Sequence, residues 1–384
     1  MTIMKIIIAT PIYPPEIGGP ATYTKELCDR IHNDHKITVV AYTNSKEAFV
    51  GTKLVAISKQ DPLPIRLFKY FIALWKASKE AELIYVQNAM AAGLPVALIK
   101  VFRKIPFVLK FVGDEAWERA TQHHVTEKQL KEFLENPDGN IKIKIMMMIQ
   151  GFVLRKASIV TTPSIYLGEA IRKAYNIKPE KVITNYNAAE ENQILPFKSE
   201  RKKHQIATTA RLVAWKGIDG IIKAVALLKN KFPDIKLVVA GDGPEMENLK
   251  ELTKKLDISK NVDLLGKISR AETWQLRKNS EIYVLNSTYE GLPHTVLTSF
   301  AAEIPTIATN IPGTNEAIYH EKTGLLVTPC DEKELATAIT RLFEDKGLCQ
   351  KLIQNGTNLL EEKFSWEKHI GTLNHFFQSA LSKP

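Results

Sequence analysis

Cysteine is scarce in this 384-residue chain: Cys28, Cys330 and Cys349 are odd in number and form no CxxC pair. That argues against a disulfide scaffold or a thiolate zinc site and fits a reducing compartment. Long apolar runs are missing as well. Residues 1–9 are apolar only briefly before Pro11, Pro14 and Pro15, too short for a signal-peptide core or a membrane span. They read as a first buried strand, and the chain is expected to stay in the cytoplasm. No GxGxxG is present, since Gly18 and Gly19 stand alone, so a dinucleotide fingerprint is absent. No nucleic-acid module appears, and nucleic acid is not an expected partner. His123 and His124 are adjacent and would diverge on a helix or strand, so no metal site is expected.

Acidic residues are missing from three stretches, 62–79, 95–113 and 139–168, although each carries Lys or Arg. The first, PLPIRLFKYFIALWKASK, interleaves Arg66, Lys69, Lys76 and Lys79 with Phe68, Phe71 and Trp75. Such stretches either lie on an anionic membrane or form core helices with a solvated basic edge. Residues 1–190 hold 26 Lys and Arg against 18 Asp and Glu, and residues 191–384 hold 26 against 24. A partner that prefers a basic surface is therefore expected on the first half.

What is present is a repeated alternation of short apolar runs and helical periodicity. Runs at 5–9, 37–42, 83–87, 107–112 and 158–162 read as buried strands of a doubly wound parallel sheet. The polar, Pro-broken stretch around 191–204 reads as a linker. Beyond it runs at 206–209, 236–240, 262–265, 282–285, 306–308 and 324–327 give a second doubly wound α/β domain. Residues 365–382 form an aromatic-rich amphipathic helix with Ser365 as its N-cap.

Chemistry concentrates at 286–305, NSTYEGLPHTVLTSFAAEIP. An apolar strand runs into a turn marked by Gly291 and Pro293 and carrying Glu290, and a helix starts near His294. Helix-start amides beside a carboxylate suit a phosphorylated sugar, the amides for the anion and Glu290 for hydroxyls. In ATTARLVAWKG, Arg211 and Lys216 flank a loop after a strand, where two cations would hold a diphosphate, Arg as a fork and Lys as a point charge. Gly18 and Gly19, ahead of a helix, either let backbone approach a phosphate or make an ordinary turn. Asp114, Glu115, Trp117, Glu118 and Arg119 directly follow a strand, where open α/β sheets bind ligands, and Asp114 and its neighbours are acid/base candidates.

Taken together these motifs resemble the retaining glycosyltransferases of family 4, of GT-B fold. The ordered set comprises the Gly18-Gly19 loop, ARLVAWKG from Ala210, VAGDGP from Val239, LLGKIS from Leu264, the STYEG turn, IPGTNEAI from Ile311 and TGLLVTP from Thr323. The resemblance implies two facing Rossmann-like domains, an acceptor-binding one over 1–190 and a donor-binding one over 205–365, with a helix at 366–384 crossing back to the first. It implies a nucleotide diphosphosugar as donor substrate and no cofactor. Gly18, Gly19, Arg211 and Lys216 would grip the donor phosphates. Glu290 with the Gly291, Leu292 and Pro293 turn would bind the sugar, and Lys267 with Ile268 would edge the base. The family usually places a second Glu eight residues after the first to hold the ribose, and this chain has Thr298 there. Where the family often has a histidine, this chain has Gly113, with Asp114 the nearest replacement. The expected activity is sugar transfer to a lipid-linked or saccharide acceptor, without a metal and at the inner face of an anionic membrane. A nucleotide-sugar epimerase or phosphorylase, or a non-catalytic sugar-nucleotide-binding homologue, are the alternatives.

Overall fold

The computed structural model describes residues 3–16, 18–189 and 200–382. The chain divides into two compact units, one running to Asn185 and resuming at Ile370, the other spanning Tyr186–His369. Of the linker expected at 191–204, residues 191–199 lie outside the described residues, and Lys202 already begins a strand.

The first unit contains β1 (Lys5–Thr10), α1 (Gly19–Ile31), β2 (Lys36–Tyr42), β3 (Thr52–Ile57), α2 (Leu63–Ala77), β4 (Leu83–Gln87) and, after a π-helical turn at Ala89–Gly93, α3 (Leu94–Phe102). It continues with β5 (Phe107–Lys110), α4 (Glu115–Gln122), α5 (Leu130–Glu135), α6 (Ile141–Lys156), β6 (Ile159–Thr162), α7 (Ile165–Ala174) and β7 (Val182–Thr184). Its strands pair in parallel in the order β3-β2-β1-β4-β5-β6-β7. The winding direction reverses between β1 and β4, which opens a crevice beside the loops that follow those two strands. Central strands such as LIYVQ are buried throughout because helices cover both sheet faces.

The second unit contains β8 (Lys202–Thr209), α8 (Ile218–Leu228), β9 (Lys236–Ala240), α9 (Met246–Lys255), β10 (Val262–Leu264), α10 (Arg270–Asn279) and β11 (Ser280–Leu285). It closes with α11 (His294–Ala301), β12 (Thr306–Thr309), β13 (Leu325–Val327), α12 (Glu332–Glu344) and α13 (Lys346–Lys363). Six parallel strands run in the order β10-β9-β8-β11-β12-β13, so the reversal falls between β8 and β11. Arg211 and Lys216 follow the first of these strands and Glu290 the second. Their loops therefore flank the switch point at which such sheets receive ligands.

The last helix, α14, runs over Trp366–Ser382. The Ser365 hydroxyl accepts from the Lys368 amide at 3.3 Å, which is the N-cap read from the sequence. Beyond Ile370 the helix packs into the first unit. The Phe377 ring meets Tyr85 edge-on at 5.5 Å, and a ring nitrogen of His35 lies 3.3 Å from Asn374 Oδ1.

Candidate donor site in the second unit

The loop after β8 and the turn after β11 are fastened together by one backbone bond and one side-chain bond. The Thr288 amide donates to the Trp215 carbonyl at 2.8 Å, and Asn286 Nδ2 donates to the Gly217 carbonyl at 2.9 Å. Gly217 sits in the left-handed region at φ 60°, where a β-carbon would also strike the Asn286 carbonyl. Only glycine meets both conditions. The loop is braced from its other side as well: the Leu212 amide donates to the Asp242 carbonyl at 2.9 Å. The GDGP segment after β9 is thus more than a tight turn, since it supports the stretch carrying Arg211.

On this frame Lys216 Nζ lies 2.6 Å from Glu290 Oε1, with 21% and 11% of the two side chains exposed. The Ser287 hydroxyl donates to the same oxygen at 2.7 Å. Glu290 Oε1 is thereby saturated, while Oε2 has no partner among the described residues and is open to a ligand hydroxyl. Gly313, at φ 87°, brings its loop so close to the Glu290 and Gly291 carbonyls that a side chain there would collide with them. The turn is thus clamped from both sides. The amides of Gly291 and Leu292 donate to no group among the described residues, whereas Val296 already donates to the Pro293 carbonyl at 3.0 Å. The Leu292 side chain is buried, so its contribution to a ligand is its backbone. Arg211 is exposed and makes no ion pair among the described residues. At the carboxyl edge of one sheet there are therefore two cations, one half-open carboxylate and two open amides, a set that accommodates an anion beside hydroxyls.

Sequence reasoning missed Ser287, Asn286 and Gly313. The polar cluster NST ahead of Glu290 was the available signal, because polar side chains just past a buried strand need partners to be buried. Lys267 is exposed, and Ile268 packs against the core of the second unit, so these residues present backbone and a charged rim. Thr298 is a nearly buried residue of α11. Its hydroxyl donates to the His294 carbonyl at 2.9 Å inside α11, and the residue is 5% exposed. Thr298→Val is accordingly expected to shift nucleoside diphosphate affinity by less than about twofold in titration calorimetry. A loss approaching tenfold, roughly what one hydrogen bond is worth, would return Thr298 to the donor site.

Asp114 is corrected more firmly. It is 0% exposed and caps α4, accepting from the Trp117 amide at 2.9 Å, Gln150 Nε2 at 3.1 Å and the Tyr175 hydroxyl at 2.5 Å. Burial raises its carboxyl above the usual range despite these donors. A carboxylate sealed off from solvent and already holding three donors orders the helix start and has no access to a reacting group. Glu115 beside it is only half-buried and accepts from Asn88 Nδ2 at 2.6 Å. Gly18 and Gly19 belong to the first unit. Gly18 is the extended N-cap of α1, where a β-carbon would press on Ile12 at 2.5 Å, and Gly19 faces open space.

Two parallel-sheet α/β units, the second carrying this edge, make the architecture of the GT-B glycosyltransferases. HepE of Anabaena, solved in complex with UDP, matches with a TM-score of 0.76 at 17% identity, covering 98% of this chain and 100% of that one. Residues 17–193 match the model of glycosyltransferase family 4, and residues 190–359 that of the glycosyl transferases group 1. An uncharacterised glycosyltransferase of Methanocaldococcus jannaschii is 24% identical over 380 residues, 95% of each chain. LpsD of Rhizobium meliloti, a lipopolysaccharide core biosynthesis glycosyltransferase, is 34% identical over 160 residues, 42% of this chain and 45% of its own. With both units matched in this way, the chain belongs to the glycosyltransferase family, of the family 4 type.

Proposed function

We propose that the chain is a retaining hexosyltransferase that moves a sugar from a nucleotide diphosphosugar to an acceptor hydroxyl without a metal ion. The observation that carries this reading is the Lys216–Glu290 pair at 2.6 Å, set beside Arg211 and two open amides. Cations and amides at a leaving diphosphate do there what a divalent ion does in other transferases. The free Glu290 oxygen would orient the sugar, and attack from the face that the diphosphate leaves would retain the anomeric configuration. The UDP held by HepE supports a nucleotide donor. The role named for LpsD supports cell-surface glycan or glycolipid assembly, with a lipid-linked or saccharide acceptor. The basic balance of the first 190 residues supports an anionic membrane surface as the workplace, reached from the cytoplasm. No helix among the described residues is long and apolar enough to cross a membrane.

The test is incubation with a panel of nucleotide sugars in the presence of EDTA. Slow release of free sugar and nucleoside diphosphate is the expected result. A nucleotide sugar returned with one inverted carbon would identify an epimerase, and binding with no turnover of any donor would identify a binding subunit. Activity restored only by a divalent ion would overturn the metal-free mechanism.

A further inference from the structure

Arg277, near the end of α10, is a cation in the interior of the second unit, with 4% of the residue exposed. Among the described residues its guanidinium makes one hydrogen bond, from Nη2 to the Thr209 hydroxyl at 2.5 Å, and no ion pair. It lies over the Tyr283 ring, 5.2 Å from the centroid, and its Nε is buried without an acceptor. The Tyr283 hydroxyl lies 3.1 Å from the Thr209 hydroxyl and donates to the Thr209 carbonyl at 3.3 Å, so the bonds that start at Arg277 end on neutral groups.

The acidic residues of the neighbouring elements are occupied elsewhere. Glu272 closes the capping box of α10 with Ser269, Glu281 holds Lys346 and the His204 amide, and Glu303 faces Lys278 at 3.5 Å. Burying a charge without a counter-charge is costly, and for packing alone an apolar side chain of similar length would serve better. The place of the charge says what it answers. Thr209 is the last residue of β8, and the chain runs from it through Ala210 into Arg211 and the loop that carries Lys216. Tyr283 is on β11, the other strand of the switch point. The guanidinium is therefore one layer below the donor loop. Tyr283 belongs there to an apolar layer with Ala207, Trp274 and Leu285, so a charge lying on it is less screened than one at the surface.

We infer that Arg277 is a third cation of the donor site, acting from beneath: it holds Thr209, and with it the start of the Arg211 loop, and its unneutralised charge favours a diphosphate above. The division of labour follows from burial. Arg211 is exposed and meets salt as well as ligand, and the Lys216 charge is shared with Glu290, whereas the Arg277 charge is neither screened nor shared. This rests on the donor reading of the proposed function and adds to it a residue that the donor itself need not touch.

Titration calorimetry with UDP, ADP and GDP as probes, together with thermal unfolding, tests it on the full chain. Arg277→Met keeps the length of the side chain and removes the charge. It should weaken the best-bound nucleotide by about tenfold, the scale of one unit charge acting over about 10 Å at the effective dielectric of about 20 found in proteins. Its unfolding temperature without nucleotide should equal or exceed that of the parent, because an unpaired charge has left the interior. Arg277→Lys keeps the charge and loses the fork, and should bind within about threefold of the parent. The parent-to-Met affinity ratio should hold between about 0.05 and 0.5 M salt, whereas that for Arg211→Met, at the surface, should shrink. An Arg277→Met protein that binds nucleotide as the parent does would make Arg277 a packing residue and overturn the inference. An Arg277→Lys protein as weak as Arg277→Met, whatever the stability of either, would overturn the role given to its charge. If the parent binds none of the nucleotides, the donor reading itself fails and this inference with it, an outcome that the parent alone reveals.

Discussion

Changing Lys216 to alanine is expected to lower turnover by about 10²–10³ while leaving the fold intact, the range for losing one preorganised charge-stabilising group. The residue belongs to a short 3₁₀ turn whose geometry is set by its neighbours. Thr288, Asn286 and Gly217 hold the backbone, and Lys216 itself contributes only the ion pair with Glu290 at 2.6 Å. That pair is mostly buried, and removing Lys216 leaves the Glu290 carboxylate with the Ser287 hydroxyl as its one donor, so some loss of stability is expected beside the loss of turnover. The loss in kcat should therefore be read per folded molecule. Lys216→Arg would keep the charge but place a planar fork where a point charge fits, and should recover activity only partly. A decrease under about threefold in Lys216→Ala, measured by release of nucleoside diphosphate, would remove Lys216 from the reaction.

Asp114→Ala should behave in the opposite way. It strips the N-cap from α4 and leaves the Trp117 amide, Gln150 Nε2 and the Tyr175 hydroxyl without their shared acceptor. Gln150 still donates to Tyr175 at 2.9 Å, which offsets part of the damage. With about 1–3 kcal/mol for each buried donor left unmade, a destabilisation of about 3 kcal/mol is expected. Denaturant unfolding should show it in the transition of the first unit, and turnover per folded molecule at low temperature should hold. A pH signature accompanies it. The Asp114 carboxyl is raised by burial, so the unfolded chain releases this proton at lower pH than the native chain. Across the window from the ordinary carboxylate value up to the native one, the folded state binds more protons, and its stability falls as pH rises. Asp114→Ala should lack that fall. A variant that stays as stable as the parent yet loses turnover would restore Asp114 to the chemistry.

The strands that were legible in the sequence were those buried on both faces, where an apolar run has no competing explanation. Leu83–Gln87 and Lys236–Ala240 stand as read. β3 and β7 were not seen, for physical reasons. β3, TKLVAI, is an edge strand with only Ile57 buried, and β7 is three half-buried residues. Edge strands lack the apolar density that marks central ones. At the site, Glu290, Arg211 and Lys216 were legible because charged residues directly after buried strands have few structural uses. Their direct contact was not, since the chain separates Lys216 from Glu290 by 74 residues. Asp114 and Glu290 read alike in the sequence: both are carboxylates just past a strand, and only packing distinguishes one sealed under Gln150 and Tyr175 from one with an oxygen left free.

The Lys216–Glu290 contact also bears on which anions the site would ignore. With the lysine charge cancelled by a carboxylate 2.6 Å away, a stray phosphate must compete with Glu290 for it and leaves that carboxylate stranded if it wins. A ligand bearing both a diphosphate and a neighbouring sugar hydroxyl gives each partner a replacement at once. On the proposed reading the pair would act as a two-key lock, in which inorganic phosphate leaves Glu290 stranded and a nucleotide diphosphosugar would satisfy both partners.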